Sequence, residues 1–214
     1  MTFARPISFT IPLHLPTNFS IVMDFARYLV EFEYILNSPS PAAPYDNPAY
    51  LEYAKLNWSR MHRWLKKGEL RTETKAMLER IAKPLHWIVI TEPWCGDAAH
   101  SVPFIQLMAQ HNAAITVEYE LRDSLPFTIN EYLTNGSKSI PKLIIRDEEG
   151  NDLAVWGPRP VGCQQLYDRL KAEGADFEIQ KVALQNWYNT DKGSAIQQEL
   201  MLLLSDVTSS VQSL

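Results

Sequence analysis

The chain has 214 residues, 46% of them hydrophobic, which is enough for one ordinary domain or a compact core with an extension. A formal net charge of −5 argues against nonspecific attraction to nucleic acid or to an anionic membrane surface. Two cysteines are no disulfide framework, and no run approaches the roughly 18 apolar residues of a membrane span, so a reducing, cytoplasmic location is expected.

The opening stretch, MTFARPISFTIPLHLPTNFS, lacks the uninterrupted apolar segment and cleavage site of a signal peptide. Residues 1–83 read mostly as helix, a helical extension expected to pack on the rest of one compact unit. Within it, SPSPAAPYDNP (38–48) carries four prolines and separates two helical patterns. The second pattern is well marked: Asn47 as cap, Pro48 at the first position, and the KKG of 66–68 at the end. Tyr50, Ala54, Trp58, Met61 and Leu65 share its predicted core face. Arg60, Arg63 and Lys67 fall nearly opposite, as a solvated surface rather than a nucleic-acid stripe.

From residue 84 to 174 the pattern alternates. PLHWIVIT is a short apolar run suited to a strand buried on both faces, and a helix follows to about residue 112. AITVEYELR (114–122) is a second strand, and PFTINEYLTNG (126–136) reads as a short helix ending at Gly136. IPKLIIRDEEGNDLAVW (140–156) is two strands joined by a turn, and PVGCQQLYDRLKAEG (160–174) is a helix closed by Gly174. The predicted class is α/β, a mixed four-stranded sheet in the order β-α-β-α-β-β-α with helices on its faces. Residues 175–214 return to helix, where Ile196, Leu200, Leu203, Leu204 and Val207 form a stripe. That stripe packs on the domain or on a twin subunit, so a homodimer through the helical extensions is one expected arrangement.

The stretch TEPWCGDAAH (91–100) puts a single cysteine, Cys95, at the first strand-to-helix junction. With this element order it resembles the thioredoxin superfamily, and in particular a bacterial thioredoxin-like group with a WCGDA motif. Three spacings carry the resemblance further: Pro103 lies 8 residues after Cys95, Pro141 lies 46 after it, and Gly157 lies 16 after Pro141. The resemblance implies a kinked active-site helix at Pro103, a cis-proline at Pro141 facing the sulfur, and Gly157 in a substrate groove. It covers residues 84–174; the flanks lie outside it. There are two departures: Val89 stands where thioredoxins bury an acid, and Ala98 stands where they carry the resolving cysteine.

What the thiol does is left open between two readings, beside a third in which the core is only a scaffold and the helical flanks are the interface of a structural partner protein. As a monothiol thiol-disulfide oxidoreductase, Cys95 attacks a protein or peptide disulfide, and an outside thiol must release the mixed disulfide because Ala98 cannot. As a non-catalytic module, the same groove of Trp94, Ile140, Pro141 and Gly157 holds an extended peptide or protein partner by strand addition. Helix position is expected to make Cys95 modestly acidic, with Asp97 opposing it. Asp97 is expected chiefly as a first-turn acid suited to the helix end, and an Asp97–His100 hydrogen bond is geometrically open at i, i+3. Cys163 is expected buried and inert. Glu92, Cys95, Asp97 and His100 match no recognised metal-ligand spacing, and no cofactor is implied.

Overall fold

A computed structural model describes residues 22–211, with the side chains of residues 22–207. The strand β1 (Leu85–Thr91) is the hub of the sheet, because its run LHWIVIT is apolar on both faces and only a central position buries both. β2 (Ile115–Leu121) lies parallel to it, with Leu85 opposite Ile115 and Thr91 opposite Leu121. On the other side β3 (Lys142–Arg146) is antiparallel, with Val89 opposite Leu143, and β4 (Asp152–Trp156) completes the order β2-β1-β3-β4. The fold is thioredoxin-like.

Three helices precede the sheet: α1 (Phe25–Asn37), α2 (Pro48–Lys67) and α3 (Thr72–Leu78). α4 (Gly96–Gln110) joins β1 to β2, and α5 (Val161–Ala172) follows β4. Two further helices, α6 (Phe177–Asp191) and α7 (Ser194–Val211), close the chain. α4 is buried on almost every side and carries Pro103 within it. The reason is that α2, α3 and α7 pack around it, so the flanking helices belong to the same core as the sheet. The stripe of the last helix is spent on this chain: Ile196, Leu200, Leu204 and Val207 are all buried in that core.

Two buried amides lock the flanks in place. Gln197 accepts from the Arg71 amide at 2.9 Å and donates to the Glu69 carbonyl at 3.1 Å, tying α7 to the α2–α3 link. Asn57 donates to the Pro93 carbonyl at 3.0 Å, tying α2 to the loop before Cys95. That second tie turns α2 away from the predicted face. Asn57 and Trp64 are buried beside Ala54 and Met61, while Tyr50 is 43% exposed. Arg60 is buried too, donating to Asn57 Oδ1 at 2.8 Å, and is not the solvated charge expected from spacing.

The segment expected as a helix up to Gly136 is instead a single 3-10 turn, Thr128–Glu131, followed by a tight reversal. Thr134 and Ser137 exchange both backbone hydrogen bonds across Asn135 and Gly136, which have φ of 49° and 76°. An Asn-Gly pair is suited to a two-residue hairpin turn, because both positions tolerate positive φ. The reversal delivers the Ser137–Ile140 segment to the cysteine.

If α7 is part of one cooperative core, Leu200→Ala should cost about 2–5 kcal/mol in denaturant unfolding, within a single transition. A loss under about 1 kcal/mol would show that the last helix is only loosely attached.

Candidate functional site

Cys95 is the N-cap of α4, in extended backbone, and its Sγ accepts the Ala98 amide at 3.4 Å. The same sulfur donates to the Ile140 carbonyl at 3.3 Å. A group that donates to a carbonyl carries its proton, and a thiolate there would face an oxygen lone pair. The residue is only 6% exposed. Burial pushes the Cys95 thiol up to about 12, aided by the nearby Asp97 carboxylate and opposed by the Ala98 amide and Arg159. The expectation of a modestly acidic thiol is therefore overturned: desolvation outweighs a helix-end effect of up to about 2 kcal/mol.

With Cys95 as the N-cap of α4, Asp97 stands in the first turn of that helix, as expected. It is held from the far side of the cleft, by the Arg159 guanidinium through Nε and Nη2 and by the Tyr188 hydroxyl at 2.8 Å. The Asp97–His100 bond is absent. The Trp64 indole, which can only donate, points at His100 Nδ1 at 2.8 Å, so the ring proton sits on Nε2 and faces Gln185 Oε1 at 3.1 Å. The His100 ring also stacks on Tyr188, with centroids 4.4 Å apart and planes 3° from parallel. Burial pushes His100 down to about 3, and Arg60 and Arg63 reinforce it. Asp97 and His100 are thus joined through Tyr188, and together they fasten α6 to α4.

Ile140–Pro141 is a cis peptide, and Pro141 is buried. Gly157, with φ 116°, brings its backbone so close that a Cβ would meet the Pro141 carbonyl oxygen at 2.2 Å. Only glycine fits there. It supports the proline strand from behind, while its neighbours Pro158 and Arg159 reach the cleft. Cys163 is fully buried, and burial pushes its thiol up to about 12, with Asp97 adding to the effect. It is a free thiol, as is Cys95, and it does not line the cleft.

A cleft of about 820 Å³ opens over Cys95. The core contributes Trp94, Cys95 and Ile140; α2 contributes Tyr50 and Tyr53; α6 contributes Phe177, Leu184 and Tyr188. The flanking helices have turned a surface groove into a walled site. Of the residues expected to form the groove, Trp94 and Ile140 line the cleft beside Cys95, Pro141 and Gly157 do not, and the walls were not foreseen. Arg159, from the β4–α5 link, and Gln185 and Tyr188, from α6, belong to no motif, and only tertiary packing brings them to the cleft, where Trp64 of α2 backs them through His100. Among the described residues no group of three or more His, Cys, Asp or Glu side chains is arranged to hold a metal ion.

A family model described as thioredoxin matches residues 45–171, more than half of the chain. The chain belongs to the thioredoxin family. No curated protein matches it. Two solved structures share the fold of this thioredoxin-family chain. One is a protein of unknown function from Pseudomonas aeruginosa, 16% identical, with a TM-score of 0.55, covering 90% of this chain and 95% of that one. The other is an HIV epitope-scaffold, 17% identical, with a TM-score of 0.51, covering 91% and 94%. Both likenesses extend well beyond the thioredoxin core, into the flanking helices. No helix among the described residues is long and apolar enough to cross a membrane.

The His100 network has a pH signature. The folded-state pKa lies below the ordinary value of 6.5, so its contribution to stability is full above about 6.5 and is lost as pH falls toward 3. The stability advantage of the wild type over His100→Gln should therefore shrink steadily from pH 6.5 to pH 4 in urea titrations. An advantage that stays constant over that range would contradict a neutral, buried imidazole.

Proposed function

We propose that this thioredoxin-family chain is a non-catalytic binding module that holds a short extended segment, peptide or peptide-like, in the cleft over Cys95. The observation that carries this reading is the Cys95 hydrogen bond to the Ile140 carbonyl at 3.3 Å, which uses the sulfur as a protonated donor. Disulfide exchange needs a thiolate, and thiolate is the form that burial and the Ile140 oxygen both disfavour. Exchange also needs a resolving thiol. Ala98 occupies that position, and the other cysteine, Cys163, is fully buried away from the cleft.

The cleft favours binding on its own account. Its volume falls within the roughly 300–1,000 Å³ typical of ligand sites, and its lining mixes aromatic rings with a few polar groups. Ser139 and Ile140 line the cleft, and strand addition would lay an extended segment against them. Monothiol exchange remains the competing reading, because Cys95 forms part of the cleft floor.

The two readings separate in a disulfide-reduction assay. With insulin as substrate and dithiothreitol as reductant, the wild-type rate should equal that of Cys95→Ala. Turnover above that control, persisting in Cys163→Ala, would establish Cys95 as a nucleophile and overturn the binding reading.

A further inference from the structure

The charges lining the cleft are unevenly answered. Four cations face it, Arg122, Lys138, Arg159 and Lys181, against two carboxylates, Asp97 and Glu178. Asp97 is bound to Arg159, and Glu178 is bound to Lys181. Arg122 and Lys138 have no carboxylate partner among the lining residues, although the chain as a whole carries −5. Arg122 lies over Trp94, and Lys138 stands between Ser137 and Ser139, all of them lining residues.

The two cations differ in kind. The Arg122 guanidinium lies 4.6 Å above the Trp94 ring, and its Nε–Nη2 edge is tied to Asp123. Asp123 lies outside the lining and offsets part of that charge. It also fixes the orientation of the guanidinium, which lowers the ordering cost of binding a second carboxylate. Glu92, the other acid facing Arg122, is turned inward onto the Tyr45 hydroxyl and the Asp123 amide. Lys138 is exposed and follows the Asn135–Gly136 reversal. Aromatic rings also line the cleft: Phe177 is 70% exposed, the Lys181 ammonium lies 5.7 Å from the Tyr53 and Phe177 rings, and Tyr50, 43% exposed, stands edge-on to Trp94 with centroids 6.3 Å apart. Exposed rings beside a cleft are surface that an apolar group covers at a gain.

We infer that the segment held in this cleft carries acidic groups together with apolar side chains. Its carboxylates dock at Arg122 and Lys138, and its aromatic or aliphatic side chains lie among Tyr50, Tyr53 and Phe177. This rests on the binding reading above and specifies its ligand class.

The test uses three blocked tetrapeptides, acetylated and amidated, titrated into the full chain by calorimetry. One has two acidic residues followed by two aromatic ones, one has the corresponding uncharged amides in place of the acids, and one has lysines there. The acidic peptide should bind about ten-fold more tightly than its amide counterpart, and the lysine peptide weakest. That preference should fall to about two-fold in Lys138→Gln, an exposed site that folding does not depend on, and further in Arg122→Gln. Rising salt should erode it as well. Equal binding of the acidic and amide peptides would overturn the charge assignment and leave the binding reading standing. So would a preference that survives both substitutions. Failure of all three to bind would overturn the binding reading itself.

Discussion

The Cys95 sulfur sits between the Ala98 amide, which it accepts, and the Ile140 carbonyl, to which it donates. That pair of bonds joins the start of α4 to the segment before β3, and both sides of the cleft are built out from it. It also sets the chemistry. Cysteine at a helix N-terminus faces unsatisfied amides that favour thiolate, the usual basis of thioredoxin-type reactivity. Here the sulfur is taken out of water and given a lone pair to face instead of a free path to substrate. Burial wins over the helix end, and the thiol becomes a structural donor in the cleft floor.

The flanking helices explain why the sulfur is buried. In this chain Asn57 of α2 grips the Pro93 carbonyl, and Tyr188 and Gln185 of α6 grip Asp97 and His100. The ion pair of Asp97 with Arg159 is mostly buried, with side chains only 13% and 14% exposed. Breaking such a pair by removing one partner leaves an uncompensated charge, so the β4–α5 link that carries Arg159 is committed to its place beside α4. These contacts close the site around the thiol and create the cleft beside it.

Much of the core was legible from sequence, and the reason is that it rests on local and periodic signals. The doubly apolar β1, the alternating strands and the Pro48 start of α2 are each written in a single short window. The Cys95–Pro141–Gly157 spacing carried the family. What was not legible depends on contacts between distant segments. The rotation of α2 follows from one amide, Asn57, reaching a loop 36 residues away. Asp97 stands in the first turn of α4 as its position suggests, but nothing nearby in sequence announces its partners Arg159 and Tyr188. The reversal at Asn135–Gly136 was visible as a dipeptide but was taken for a helix end, since glycine serves both purposes. The acidity expected of Cys95 failed for the same reason: dipole position is a local property, and burial is a tertiary one.

The central claim, that Cys95 is held as a protonated thiol, is tested most directly by its alkylation rate as a function of pH. Iodoacetamide labelling would be followed at Cys95 by mass spectrometry in a Cys163→Ala background. The account predicts slow labelling with no inflection below the ordinary cysteine value near 8.5, the rate still rising at the highest pH the fold tolerates. A plateau reached by neutral pH would show a stabilised thiolate and contradict it.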